Sequence, residues 1–281
     1  MLELRELLLG AAVPIGVSTA VALLALWRRW AWAMPLAAAA AFLTAYWLLS
    51  GVPDLPPRDG TDWLFWSAPA LAVVGIVDGA ARSKWGWALA AFAGGVVFLI
   101  TKPLTPHAVP ASMLWITAAA AAVLAPVLCL AVHAAAPRIT APAALGCLCI
   151  TLGAAAVVVL SSNLRIGGVY AMAAAAALGP VAFLSSRTPH APRAVAIYAI
   201  PLLMGILASG YHYPDPGVPL HAVIVFCLSP LLMLAGAFVP FKKPLARAAV
   251  ALLATALAAG AVAGPAALAA KQAAEELEYT Y

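Results

Sequence analysis

Residues 112–134 read SMLWITAAAAAVLAPVLCLAVHA and contain no Asp, Glu, Lys or Arg. A helix needs about 20 consecutive, mainly apolar residues to cross the hydrocarbon core of a bilayer. This stretch is long enough, so it predicts a transmembrane helix. The pattern recurs along the rest of the chain.

The composition excludes most classes of soluble protein. Of the 281 residues, many of them alanine, 65% are hydrophobic and 9% are charged. Soluble domains carry about 45–50% apolar and about 25% charged residues. So few charges exclude a soluble enzyme, a DNA-binding module and a disordered chain. The net charge of +5 does not indicate a nucleic-acid partner either, because the 15 Lys and Arg are scattered between apolar runs.

Apolar runs separated by short segments rich in Pro, Gly and charge predict an all-α integral membrane protein, a helical bundle forming one transmembrane domain over residues 1–281. The runs cover residues 8–27, 31–50, 63–78, 85–101, 112–134, 142–161, 166–185, 193–210, 219–239 and 245–269. The third run is short, and only residues 163–165 separate the sixth from the seventh. We therefore expect about ten helices, with eight as the lower bound.

Basic and aromatic residues predict the orientation. Trp27, Trp30 and Trp32 bracket Arg28 and Arg29, as in the aromatic belt at a membrane interface. When the loops between the ten runs are numbered in chain order, the odd-numbered loops hold ten Lys and Arg. The two termini and the even-numbered loops together hold five. The excess of positive charge on the cytoplasmic side then places both termini on the outer side. The expected location is a plasma membrane of the bacterial type.

Prolines and glycines within the runs bear on how the helices pack. The prolines are Pro14, Pro35, Pro69, Pro126, Pro180, Pro201 and Pro230. They indicate either broken helices that line a substrate cavity or prolines tolerated within a packed bundle. The pairs Gly75/Gly79 and Gly260/Gly264 have the spacing that lets helices approach closely.

Charged side chains are missing from the interiors of the predicted spans. Ion-coupled pumps usually keep such groups at mid-membrane, so a carboxylate-based proton antiporter is disfavoured. No phosphate-binding loop, dinucleotide fingerprint or catalytic triad pattern occurs. The sequence therefore predicts no cofactor and favours a role other than catalysis.

The predicted outer loops hold a candidate metal site. His212, Asp215 and His221 lie close in sequence, and imidazole and carboxylate groups are common metal ligands. Turn-forming Asp and interfacial His side chains are the competing interpretation.

Three functions remain. The first is a small-solute transporter or permease with a central cavity. Its candidate lining residues are Thr44, Tyr46, Ser67, Thr117, Thr151 and Tyr198. The second is a non-catalytic subunit of a larger membrane complex. The third is a membrane enzyme or metal-binding protein that uses the outer His/Asp cluster. The expected partners are the lipid bilayer and other membrane subunits or further copies of the chain.

Overall fold

Helices make up most of the computed structural model, which describes residues 3–57, 60–81, 95, 98, 99, 102, 110–162, 164–188, 191–212 and 217–278. The long described helices are α1 (Leu4–Trp27), α2 (Met34–Ser50), α3 (Gly60–Ala81), α4 (Ala111–Ala135), α5 (Ala141–Ser161), α6 (Arg165–Leu184), α7 (Ala191–His212), α8 (Leu220–Phe238) and α9 (Pro244–Glu278).

Nine of the ten predicted runs coincide with these described helices. Seven of the nine are long and apolar enough to cross a membrane, and α2 and α3 contain shorter apolar helices. The short segment at residues 162–164 does separate α5 from α6. The fourth predicted run, 85–101, lies outside the described residues apart from Gly95, Phe98 and Leu99.

The helix α7 lies at the centre of the bundle. It contacts α2, α3, α4, α5, α6 and α8. Every residue from Ala194 to Gly210 is buried. In the most apolar segment of α7, 94% of the residues are buried, whereas in the corresponding segments of α1 and α9 the share is 22%. The other helices therefore form a shell around α7, with α1 and α9 at its periphery.

Small residues set the closest helix contacts. A Cβ atom added to Gly75 of α3 would lie 2.5 Å from the carbonyl oxygen of Ala194 in α7. Because this contact joins the end of α3 to the start of α7, the two helices run antiparallel. Gly260 of α9, by contrast, has nothing within 4 Å of such an atom.

The two ends of the bundle differ in charge. The end named here the basic end carries most of the described cations, namely Arg28, Arg29, Arg138, Arg187, Arg193, Lys242, Lys243 and Arg247. At the other end, named the acidic end, Arg165 at the start of α6 forms ion pairs of 3.3 Å and 2.7 Å with Glu3 and Glu6 of α1. Asp62 at the start of α3 lies there too, 3.4 Å from the Tyr46 hydroxyl.

The prolines have different effects on the helices. The helices α3, α4, α6 and α7 continue through the prolines within them. In α8, a 3₁₀ turn at Ser229–Leu231 that contains Pro230 separates Leu220–Leu228 from Leu232–Phe238. The break in α8 coincides with Pro230, which has no backbone N–H to donate.

We expect Gly75→Ala to lower the free energy of unfolding by about 1–3 kcal/mol, since the added methyl group would overlap the Ala194 carbonyl. The matched control is Gly260→Ala, which enters open space in a helix and should change stability by less than about 1 kcal/mol, in the stabilising direction. Unfolding of both variants in detergent is followed by tryptophan fluorescence. Equal loss of stability in both variants would contradict the close α3–α7 contact.

Candidate functional site

A cavity of about 360 Å³ lies between α4, α7 and α8. Its walls are six residues of α4 from Met113 to Leu124, four of α7 from Met204 to His212 and five of α8 from Leu220 to Leu228. Ligand cavities in proteins span about 300–1,000 Å³ and are mainly apolar with a few polar groups. The size and lining of this cavity fit that description.

The break in α8 produces the cavity. The second half of α8, Leu232–Phe238, packs against α9 and α4, and the 3₁₀ turn before it packs against α4, α5 and α9. The first half, Leu220–Leu228, packs against α7, α9 and α5. The helices α4 and α8 are therefore in contact towards the basic end and separate towards the acidic end, where the cavity lies between them.

A buried hydroxyl pair fixes the position of this break. The side-chain oxygens of Thr151 in α5 and Ser229 in α8 lie 2.7 Å apart, and both residues are buried. Each hydroxyl also lies within hydrogen-bond distance of a carbonyl in its own helix, Cys147 at 3.0 Å and Phe226 at 3.0 Å. The pair joins α8 to α5 one residue beyond Leu228, at the inner limit of the cavity.

The polar groups of the cavity lie towards the acidic end. Thr117, Tyr211 and His212 line that part, whereas Leu124, Met204 and Leu228 line the inner part. The rings of Tyr211 and His212 contact edge to face, with centroids 4.7 Å apart. Among the described residues that line the cavity, none is Asp, Glu, Lys or Arg. The described lining therefore offers hydrogen bonds at one end, an apolar wall along its length and no charged side chain.

The structure places two of the three predicted metal ligands. His212 lines the cavity, and His221 is exposed in the first turn of α8. Asp215 lies outside the described residues. No cluster of three or more His, Cys, Asp or Glu suited to a metal occurs among the residues that the structure describes.

Of the six predicted cavity residues, Thr117 lines this cavity. The others hydrogen-bond within the packed bundle. Thr44 and Ser67 donate to carbonyls of their own helices, at 2.8 Å and 3.2 Å. Thr151 pairs with Ser229, and the Tyr198 hydroxyl lies 3.5 Å from the Ala38 carbonyl oxygen.

Tyr46 belongs to a second cluster, close to the acidic end. Its ring stacks on that of Tyr170 with centroids 4.3 Å apart. The Tyr170 hydroxyl lies 2.6 Å from the hydroxyl of Ser50. These contacts join α2 to α6 and occupy the space between them, so the cluster is a packing contact of the bundle.

A second apolar groove lies between α1, α5 and α6. Ile15, Cys149, Met172 and Phe183 are among the residues that line it. Thr19 also lines the groove, and its hydroxyl group donates to the Ile15 carbonyl of the same helix at 2.7 Å. This groove provides an internal comparison for the cavity beside α7.

No protein-family model matches this chain, and no curated protein and no solved structure matches it significantly.

The native cysteines provide a test of the cavity. Cys227 lines it, whereas Cys147 is fully buried in α5. In variants that each keep a single cysteine, we expect Cys227 to react with N-ethylmaleimide at least about tenfold faster than Cys147, because access limits thiol reactivity. Mass spectrometry of the intact protein measures both rates. Equal rates would mean that the space around Cys227 is closed.

Proposed function

We propose that the chain is an integral membrane protein. Seven of its described helices are long and apolar enough to span a bilayer. Large apolar side chains are exposed on the surface, including Phe183 at 80%, Leu257 at 65% and Val123 at 68%. A soluble protein rarely exposes so many apolar side chains together, and hydrocarbon is the solvent that suits them. A plasma membrane of the bacterial type is the proposed location.

Ten crossings fit the described ends of the chain. The close contact of Gly75 with Ala194 sets α3 antiparallel to α7, so Ala81 lies at the basic end. The cavity is lined by the first half of α4 and the second half of α7, so these two helices also run antiparallel and Ala111 lies at the acidic end. The chain therefore changes ends between Ala81 and Ala111, as a further crossing requires. With the basic end in the cytoplasm, both termini lie outside.

Within that membrane protein, the function we propose is a permease for a small solute. The observation that carries this proposal is the cavity beside α7. It is bounded at its inner limit by the break in α8 and has its hydrogen-bonding groups towards the proposed outer side. In transporters, substrate sites are commonly formed where helices are interrupted within the membrane.

An efflux assay tests the permease. Proteoliposomes are loaded with a defined mixture of small metabolites, and mass spectrometry measures which compounds are lost faster than from protein-free liposomes. We expect at least one such compound, and we expect Ala120→Trp to slow its loss, because Ala120 lines the cavity. Ala119→Trp is the matched control, since Ala119 is exposed one position along α4 and does not line the cavity.

Loss of every compound at the protein-free rate would contradict the permease. Equal slowing by both tryptophan variants would show that the transported compound does not pass through this cavity.

A second candidate function, a subunit of a larger membrane assembly, is favoured by α9. This helix has 35 residues and is therefore about 52 Å long at 1.5 Å per residue, well beyond the ~30 Å hydrocarbon core. Leu253, Leu257 and Leu268 are exposed on it, and the neighbourhoods of Gly260 and Gly264 are open. Exposed small residues of this kind permit close contact with a helix of another subunit or another copy of the chain.

Gentle extraction into nanodiscs, followed by mass spectrometry of whatever co-purifies, distinguishes the two functions. Stoichiometric partner proteins that dissociate on Gly260→Leu would establish the subunit, because the larger side chain blocks close approach along α9. A monomer that retains efflux activity would establish the permease and exclude a required partner. Gly16→Leu is the matched control, since it also enters open space in a helix.

A further inference from the structure

We propose that the cavity between α4, α7 and α8 binds a long-chain amphiphile with an uncharged, hydroxyl-bearing head group, taken from the outer leaflet. This inference rests on the proposed membrane location and goes beyond the proposed permease, because it assigns the cavity a ligand from the membrane and not a water-soluble solute. The observations that carry it are the length of the cavity, the side on which it opens and the placement of its polar groups.

The length of the cavity matches one leaflet. Its lining on α4 runs from Met113 to Leu124, which is about 16 Å along a helix axis at 1.5 Å per residue. Half of a hydrocarbon core of ~30 Å is about 15 Å. A hydrocarbon chain that lies parallel to α4 from the outer surface would therefore fill the cavity and end near the break in α8.

The cavity opens sideways between α4 and α8. Its rim carries exposed apolar side chains from both helices, with Ile116 at 64%, Ile224 at 48% and Leu220 at 56% exposure. An apolar chain can pass between these helices directly from the surrounding lipid without crossing water. A water-soluble solute would have to cross this apolar rim, which costs free energy for every polar group it carries.

The polar groups specify the head. The Thr117 hydroxyl donates to the carbonyl of Met113 at 2.5 Å, so its oxygen remains an acceptor towards the cavity. Tyr211 and His212 add a phenol and an imidazole to the same lining, and both groups can donate and accept hydrogen bonds. Because the lining described for this cavity contains no Lys, Arg, Asp or Glu, a carboxylate, phosphate or ammonium head would lie there without an opposite charge. Hydroxyl groups suit these partners best.

The volume favours a single chain. About 360 Å³ is near the lower limit of the range for ligand cavities. A monoacylglycerol is therefore a suitable probe, whereas a phospholipid carries two chains and a charged phosphate.

Photocrosslinking tests the proposal. The purified full-length protein is reconstituted in phosphatidylcholine vesicles that contain a monoacylglycerol with a diazirine in its acyl chain. After illumination, peptide mass spectrometry locates the labelled residues. We expect labelling of α4 and α8 that saturates with probe and is removed by excess unlabelled monoacylglycerol. Labelling beside the groove of Ile15 and Phe183 should instead rise linearly, as expected for bulk lipid.

Variants and probe chemistry make the result specific. Ala120→Trp should reduce the saturable labelling by about tenfold, because the indole ring occupies the cavity, and Ala119→Trp should leave it unchanged. A diazirine fatty acid and a diazirine phospholipid in the same vesicles should label α4 and α8 without saturation. Linear labelling by all three probes, or equal loss in both variants, would overturn the proposed site. Saturable labelling by the fatty acid would overturn the uncharged head group.

The two proposals fail in different ways. Saturable labelling without faster efflux of any compound would refute the permease and keep the lipid site. Efflux that Ala120→Trp slows, together with linear labelling, would refute the lipid site and keep the permease.

Discussion

The helix α7 has no outward face, and the remaining helices are arranged by the need to cover it. Residues Ala194–Gly210 are buried on every side, so each neighbouring helix must approach closely enough to leave no void. The approach is closest where side chains are smallest, as between Gly75 and the Ala194 carbonyl. The largest side chain in this stretch, Tyr198, is fully buried, and its hydroxyl lies within reach of the Ala38 carbonyl oxygen in α2.

The candidate site lies beside the last turns of α7, where Gly210 is still buried but Tyr211 and His212 are only half-buried. The helix α8 covers α7 along its first half and turns towards α4 only after Ser229. The Thr151–Ser229 pair holds this change of direction in place, because both hydroxyls are buried and satisfied there. The 3₁₀ turn at Pro230, which interrupts α8, therefore lies at the inner limit of the cavity.

The positions of the helices follow from local properties of the sequence, which is why they could be predicted. Long apolar runs and the short segments between them depend only on neighbouring residues, as in the separation of α5 from α6 at residues 162–164. The central position of α7 could not be predicted in this way. Its mean hydropathy of 1.8 lies between the 1.7 of α6 and the 2.5 of α5, both of which are less buried, so hydropathy does not reveal which helix is enclosed. Enclosure depends on shape matching across helices that are distant in sequence.

The hydroxyl residues within the predicted spans differ in their surroundings for a related reason. The sequence predicts hydroxyl residues within the spans as lining groups of a solute cavity, yet a Ser or Thr in a helix can bond the carbonyl three or four residues earlier. Thr44, Ser67 and Thr151 do so, which satisfies them without a solute. Thr117 makes the same bond, and it differs only because α8 diverges from α4 beside it. A hydroxyl group in an apolar helix thus indicates a site only where a neighbouring helix departs. In this chain, the sequence signal for that departure is the Ser-Pro pair at 229–230, together with Tyr211 and His212 at the level where the gap opens.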